Sequence, residues 1–214
     1  MRVLLHVTVL AFVVAVAGGA ATDTPGPTVP SRETMQRRAA SARPLPVKVP
    51  AKKEPAMAFH LTSAAFAPMG PIPGRHTCDG ADVSPALAWS GAPAGTTSFA
   101  LVVDDPDAPD PAAPRVDWVH WVLYDLPAAT TGLPEAVAAQ DLPKGARAGL
   151  NDWKRPGWRG PCPPIGRHRY FLRLYALDVV LPDLHRPTRA ALEKAMHGHV
   201  LAQAELVGTY QRAR

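Results

Sequence analysis

The sequence predicts a mainly β domain that ends in short helices. Three observations carry this reading. From Met57 onward, short apolar runs are punctuated by Gly and Pro, the pattern of strands joined by turns. Three of those runs are long enough for strands and are enriched in β-branched and aromatic residues. A helix-like composition with a capping signal appears only after residue 186.

Two segments precede that domain. Residues 1–21, MRVLLHVTVLAFVVAVAGGAA, carry Arg2, an apolar run and then Ala17, Gly18, Gly19, Ala20 and Ala21. That order is the pattern of a secretory signal peptide cleaved near Ala20 or Ala21. The run from Val3 to Ala17 falls short of the roughly 20 residues of a bilayer span, so cleavage is expected over a retained anchor. Residues 22–56 hold seven prolines and almost no large apolar side chains. Such a stretch cannot bury enough surface to offset chain entropy, and it reads as a disordered, Pro-rich basic tether. Residues 57–214 are the expected folded domain, of a size for one core. The expected location is exported, periplasmic or extracellular.

The formal charge is +5, and its position is informative. Residues 22–56 contain seven Lys/Arg against three Asp/Glu, whereas Met57 onward has fifteen of each. A nucleic-acid-binding domain would carry a basic face, so no nucleic-acid partner is expected. Membrane contact is expected only through the leader or the tether. Two cysteines, Cys78 and Cys162, are present. In an oxidising compartment a disulfide between them is the economical reading, with two buried thiols or one reactive thiol as alternatives.

Within the domain, TTSFALVVDD (96–105), RVDWVHWVLYDLP (115–127) and HRYFLRLYALD (168–178) are the strand candidates. Between Gly132 and Gly157 no period stands out, and a long loop is expected. Residues 186–210 read as two short helices, with Thr188 as N-cap and Gly198 as the interruption. Their apolar positions are Ala191, Leu192 and Ala195, then Val200, Leu201, Ala204 and Leu206. His197 and His199 flank Gly198 and are expected to cap or pack; no metal site and no cofactor are expected.

Strand parity gathers the ionisable residues. Alternate side chains on a strand share a face. His168, Tyr170, Leu172, Leu174 and Ala176 form one such set. Trp118, His120, Val122 and Tyr124 form another, and Phe99, Leu101, Val103 and Asp105 a third. Each set puts ionisable residues among apolar ones, so a single site drawing on three strands is expected. Singly, a histidine on an apolar face is more often a hydrogen-bonded core residue. Pro106 stiffens the backbone between Asp105 and Asp107, and Pro161, Pro163 and Pro164 build an elbow that resists collapse. A rigid loop of that kind can wall a cavity and loses little entropy when a ligand arrives.

Four separated stretches, VVDDPDAP, DWVHWVLYDLP, GPCPPIGRHRYFLRLYALD and GHVLAQAELVGTY, resemble the phosphatidylethanolamine-binding protein family in its bacterial Raf-kinase-inhibitor-like branch. TCDGADVSPALAWSG (77–91) fits the same branch, and the resemblance spans roughly residues 57–212. It implies an antiparallel β-sandwich with short C-terminal helices and a small anion-binding cavity at one end of the larger sheet. The positions matching that cavity's lining are Asp105, Asp107, His120, Pro163, Pro164, His168 and Tyr170. The expected mechanism has His120, His168 and Tyr170 donating hydrogen bonds to a phosphate or carboxylate, with Asp105 fixing one imidazole. The expected partner is a small anion or phospholipid headgroup, with a kinase or protease as a protein target, as described for family members. The function expected is thus an exported, non-enzymatic binding protein. The alternative is a hydrolase using the Asp/His/His/Tyr pocket; no G-x-S-x-G or H-E-x-x-H motif accompanies it.

Overall fold

The computed structural model describes residues 58–213. The expected signal peptide and tether lie outside the described residues. Among the described residues the strands are β1 (His60–Ser63), β2 (Leu87–Ser90), β3 (Ser98–Asp105), β4 (Trp118–Pro127), β5 (Gly132–Leu133), β6 (Arg147–Ala148), β7 (His168–Leu177) and β8 (Val200–Tyr210), with one α-helix, α1 (Arg189–Met196), before β8. They form an antiparallel five-stranded sheet ordered β6-β4-β3-β7-β8 and a three-stranded sheet ordered β1-β2-β5.

The central strand β3 is buried along its whole length, so its two faces supply two cores. Phe99, Leu101 and Val103 pack with Leu172 and Leu174 of β7 against Leu61, Leu87 and Trp89 of the smaller sheet. This is the interior of the sandwich. Ala100 and Val102 face the other way and pack with Leu192 and Met196 of α1. Asp104 shares that second face and is fully buried. It is held by Arg173 of β7 and lies 3.3 Å from Arg189 in the first turn of α1. Arg189 also pairs with Asp117 and, at 2.6 Å, with Glu193.

The three expected strands are β3, β4 and β7, and the parity expected for β7 holds: His168, Tyr170, Leu172, Leu174 and Ala176 are all buried. In β4 the expected parity fails. Val103 pairs with Trp121 and Asp104 with Val119, which leaves His120 as the extra residue of a β-bulge. The bulge turns Val122 and Tyr124 to the helix-side core, while His120 faces a cavity. A second bulge sits at Asp125, whose φ is +55°.

The second expected helix is a correction. Thr188 does cap α1, accepting from the Ala191 N–H at 3.4 Å. After Gly198 (φ +84°), however, residues 200–210 form β8, paired with β7 from His168 to Leu177. Its composition suits either structure. The long partner strand decides, because strand preference reflects cross-strand packing more than backbone propensity. The expected loop from 132 to 157 holds β5, β6 and a 3-10 turn at Ala139–Asp141.

Candidate functional site

The C-terminal end of β3 and the N-terminal ends of β4 and β7 meet at one end of the five-stranded sheet. A cavity of about 400 Å³ opens there. Asp105 comes from β3, Trp118 and His120 from β4, and His168 from β7. Trp153, Cys162, Pro163 and Pro164 close it from the loop before β7, and Ala108, Pro109, Arg115 and Val116 from the loop between β3 and β4.

The elbow is pinned in several ways. Cys78 and Cys162 form a disulfide, with Cα atoms 5.4 Å apart. The Cys78 N–H donates to the Pro161 carbonyl at 3.1 Å, and the Gly160 N–H donates to Asp82 at 2.6 Å. Gly160 is required by space, because a Cβ there would stand 2.2 Å from the His76 carbonyl oxygen. The prolines are therefore held as a fixed wall.

His168 is fully buried, and both its nitrogens are engaged. Nδ1 meets Asp105 Oδ2 at 2.7 Å, and Nε2 meets the Ile165 carbonyl at 2.9 Å. The carbonyl only accepts, so Nε2 carries a proton; a second proton then lies between Nδ1 and the carboxylate. The other Asp105 oxygen accepts from the Asp107 N–H at 2.9 Å. Burial pushes the Asp105 carboxyl above its usual range, against the opposing pull of His168.

His120 is held by Arg159 through two bonds. Its Nδ1 donates to the Arg159 carbonyl at 2.5 Å, and its own carbonyl accepts from the Arg159 N–H at 3.2 Å. Complete burial lowers its pKa to about 4, so the ring is neutral near pH 7. With the proton on Nδ1, Nε2 is a hydrogen-bond acceptor. The ring packs edge-on against Trp153 and Tyr170, each with centroids 5.2 Å away.

The structure thus brings Asp105, His120, Pro163, Pro164 and His168 to one cavity. Tyr170 stands behind it, 1% exposed, between the two imidazoles. Its hydroxyl has no hydrogen-bond partner among the described residues, and burial raises its pKa. Asp107 turns away. It grips Arg169 of β7 through two side-chain bonds of 2.9 and 2.7 Å and a backbone bond of 2.9 Å. Those bonds hold its carboxyl below the ordinary range and lock the β3–β4 loop to β7. In this state His168 offers the cavity no free donor, and His120 offers a lone pair.

Sequence reasoning missed Arg115, the one Lys or Arg in the lining, and Trp153, which stands 5.3 Å from Trp118 edge to face; Trp118 was placed on the His120 face but not among the lining residues. Trp118 had a signal, two positions ahead of His120. Trp153 lies in a loop without periodicity and had none. No group of three or more His, Cys, Asp or Glu that could hold a metal occurs among the described residues. His199 is bonded to Asp178 at 2.8 Å.

Residues 62–211 match the family described as phosphatidylethanolamine-binding protein. A UPF0098 protein of Methanothermobacter thermautotrophicus is 48% identical over 155 residues, covering 72% of this chain and 99% of the relative. One from Chlamydia pneumoniae is 44% identical, covering 72% of this chain and all of the relative. Among solved structures, the phosphatidylethanolamine-binding protein homologue CT736 of Chlamydia trachomatis superposes with a TM-score of 0.67 at 40% identity, covering 73% of this chain and 99% of that one. Escherichia coli YBCL, described as a new member of the mammalian family, superposes at 0.66 with 32% identity over 72% of this chain and 99% of that one. The chain belongs to the phosphatidylethanolamine-binding protein family.

Proposed function

We propose that the chain is an exported, non-enzymatic binding protein whose cavity takes a small phosphate ester of the phospholipid-headgroup kind. The observation that carries this reading is the division of polarity in the cavity. Exposed Arg115 is the one Lys or Arg among its lining residues, Asp105 and the His120 Nε2 lone pair are acceptors, and the remaining walls are largely Trp, Pro and Val. A phosphate pairs with Arg115 while a P–OH or an amine of the same ligand donates to His120. The ligand thus supplies the donors that the two histidines do not.

Binding without turnover is supported by the state of the reactive groups. Cys162 is in a disulfide, and His168 has its second nitrogen on a carbonyl rather than in the cavity. The leader and the Cys78–Cys162 bridge support export. A protein target, kinase or protease, would then be extracytoplasmic, and the basic segment 22–56 would give any contact with anionic membrane surfaces. The target rests on family analogy.

Calorimetry with O-phosphoethanolamine tests the cavity. Arg115→Gln and His120→Ala should each weaken binding about tenfold or more, the loss of one charge-assisted or buried hydrogen bond. Affinity unchanged from that of the unmodified protein in both variants would remove the assignment. Hydrolysis of a chromogenic phosphate or acyl ester, lost in His120→Ala, would instead favour the hydrolase reading.

A further inference from the structure

We infer that a second site, beside the headgroup cavity, takes an acidic sugar. It is a hollow of about 370 Å³ lined by Asn151, Trp153, Arg155, Pro156, Trp158 and Arg159. Trp153 is the one residue it shares with the headgroup cavity.

The segment NDWKRPGWR (151–159) is irregular but firmly built. The buried Asn151 side chain accepts from the Arg155 N–H at 3.2 Å and donates to the Gly157 carbonyl at 3.2 Å. Its backbone N–H donates to the Arg155 carbonyl at 3.0 Å, and its carbonyl accepts from Lys154 at 2.9 Å. Gly157 adopts φ +93°, as the tight return requires. A loop folded around one amide presents its side chains already ordered, which lowers the entropy lost on binding.

The charged and indole side chains of this hollow are donors. Arg155 is exposed and has no carboxylate partner among the described residues. Arg159 pairs with Asp82 at 3.2 Å and lies 5.9 Å over the Trp153 ring. The indole N–H of Trp158 is buried without a partner among the described residues, while its ring is anchored edge-on to Trp121 at 5.6 Å. One guanidinium without a carboxylate and a second with a single one, beside apolar indole surface, call for a ligand rich in acceptors, anionic, with an apolar face. A pyranose carrying a carboxylate or phosphate combines all three. Its C–H face lies on indole, its acid meets Arg155, and its hydroxyl oxygens accept from Arg159.

The test follows the five tryptophan indole N–H resonances of the whole protein by NMR during titration with sodium glucuronate, with glucose and acetate as controls. Glucuronate should move the Trp153 and Trp158 signals in a saturable way and leave Trp89 in place, while both controls bind more weakly. Arg155→Gln should weaken glucuronate about tenfold, as for a lost charge-assisted hydrogen bond. Arg155 is exposed, so the variant folds, and an unmoved Trp89 signal checks this. Absent shifts with glucuronate, equal affinity for glucose, or unchanged affinity in an Arg155→Gln, Arg159→Gln double variant would each overturn the inference. Failure here leaves headgroup binding standing, because the cavity's polar groups are not in this hollow.

Discussion

Asp105 and His168 meet at 2.7 Å inside the protein, with the second ring nitrogen 2.9 Å from the Ile165 carbonyl. Their exchangeability is unequal. In Asp105→Asn the amide N–H₂ can donate to Nδ1 of a neutral imidazole, while its oxygen keeps the Asp107 N–H. Stability should fall by no more than about 1 kcal/mol. In His168→Phe the carboxyl stays buried without its partner, and a loss of about 3 kcal/mol is expected. Urea denaturation compares them, and equal losses would contradict the proton assignment.

His120 makes stability depend on pH. Its folded-state pKa of about 4 lies below the ordinary value of 6.5, so the unfolded chain takes up the proton first. The His120 contribution is complete above about pH 6.5 and is lost as pH falls towards 4. The loss over that window is about 3 kcal/mol. His120→Gln, measured by denaturant titration between pH 7 and 4, should flatten the slope. An unchanged slope would place the titrating group elsewhere.

The Cys78–Cys162 bridge spans 84 residues of sequence. On the chain-entropy model such a loop is worth roughly 4–5 kcal/mol. Cys78→Ser with Cys162→Ser should lower the Tm substantially and weaken phosphoethanolamine as well, since Cys162 precedes the proline wall. Weaker binding at temperatures where the variant remains folded separates the two effects. Unaltered binding there would mean that the bridge serves stability alone.

Arg173 and Asp104 should behave as a buried pair. Arg173→Met leaves Asp104 fully buried with Arg189 as its remaining cation and should cost about 3 kcal/mol. Adding Asp104→Leu should restore most of that loss, because the buried carboxyl that has lost one of its two arginines goes with it. A double variant no more stable than Arg173→Met would refute this.

The strands that carry the site were legible because β3, β4 and β7 are long, buried and bounded by Pro or Gly. His168 obeyed simple alternation. His120 did not, since a bulge depends on pairing across strands that no single stretch encodes. β8 looked helical for the same reason: its alanines and leucines fit either period, and β7 chooses. The four-residue strands HLTS and LAWS were too short to stand out. Asp107 carries the same carboxyl as Asp105 two positions away, yet Arg169 claims it, and only the folded register reveals that.

Asp104 and Asp105 are neighbours on a strand whose consecutive side chains leave by opposite faces. One grasps the arginines beneath the helix, the other the imidazole at the cavity. A single peptide unit therefore acts as a rivet through the sheet. The layer under the helix and the wall of the cavity are thereby tied through adjacent residues of one strand, so a displacement of the helix would bear on a residue next to one that lines the cavity.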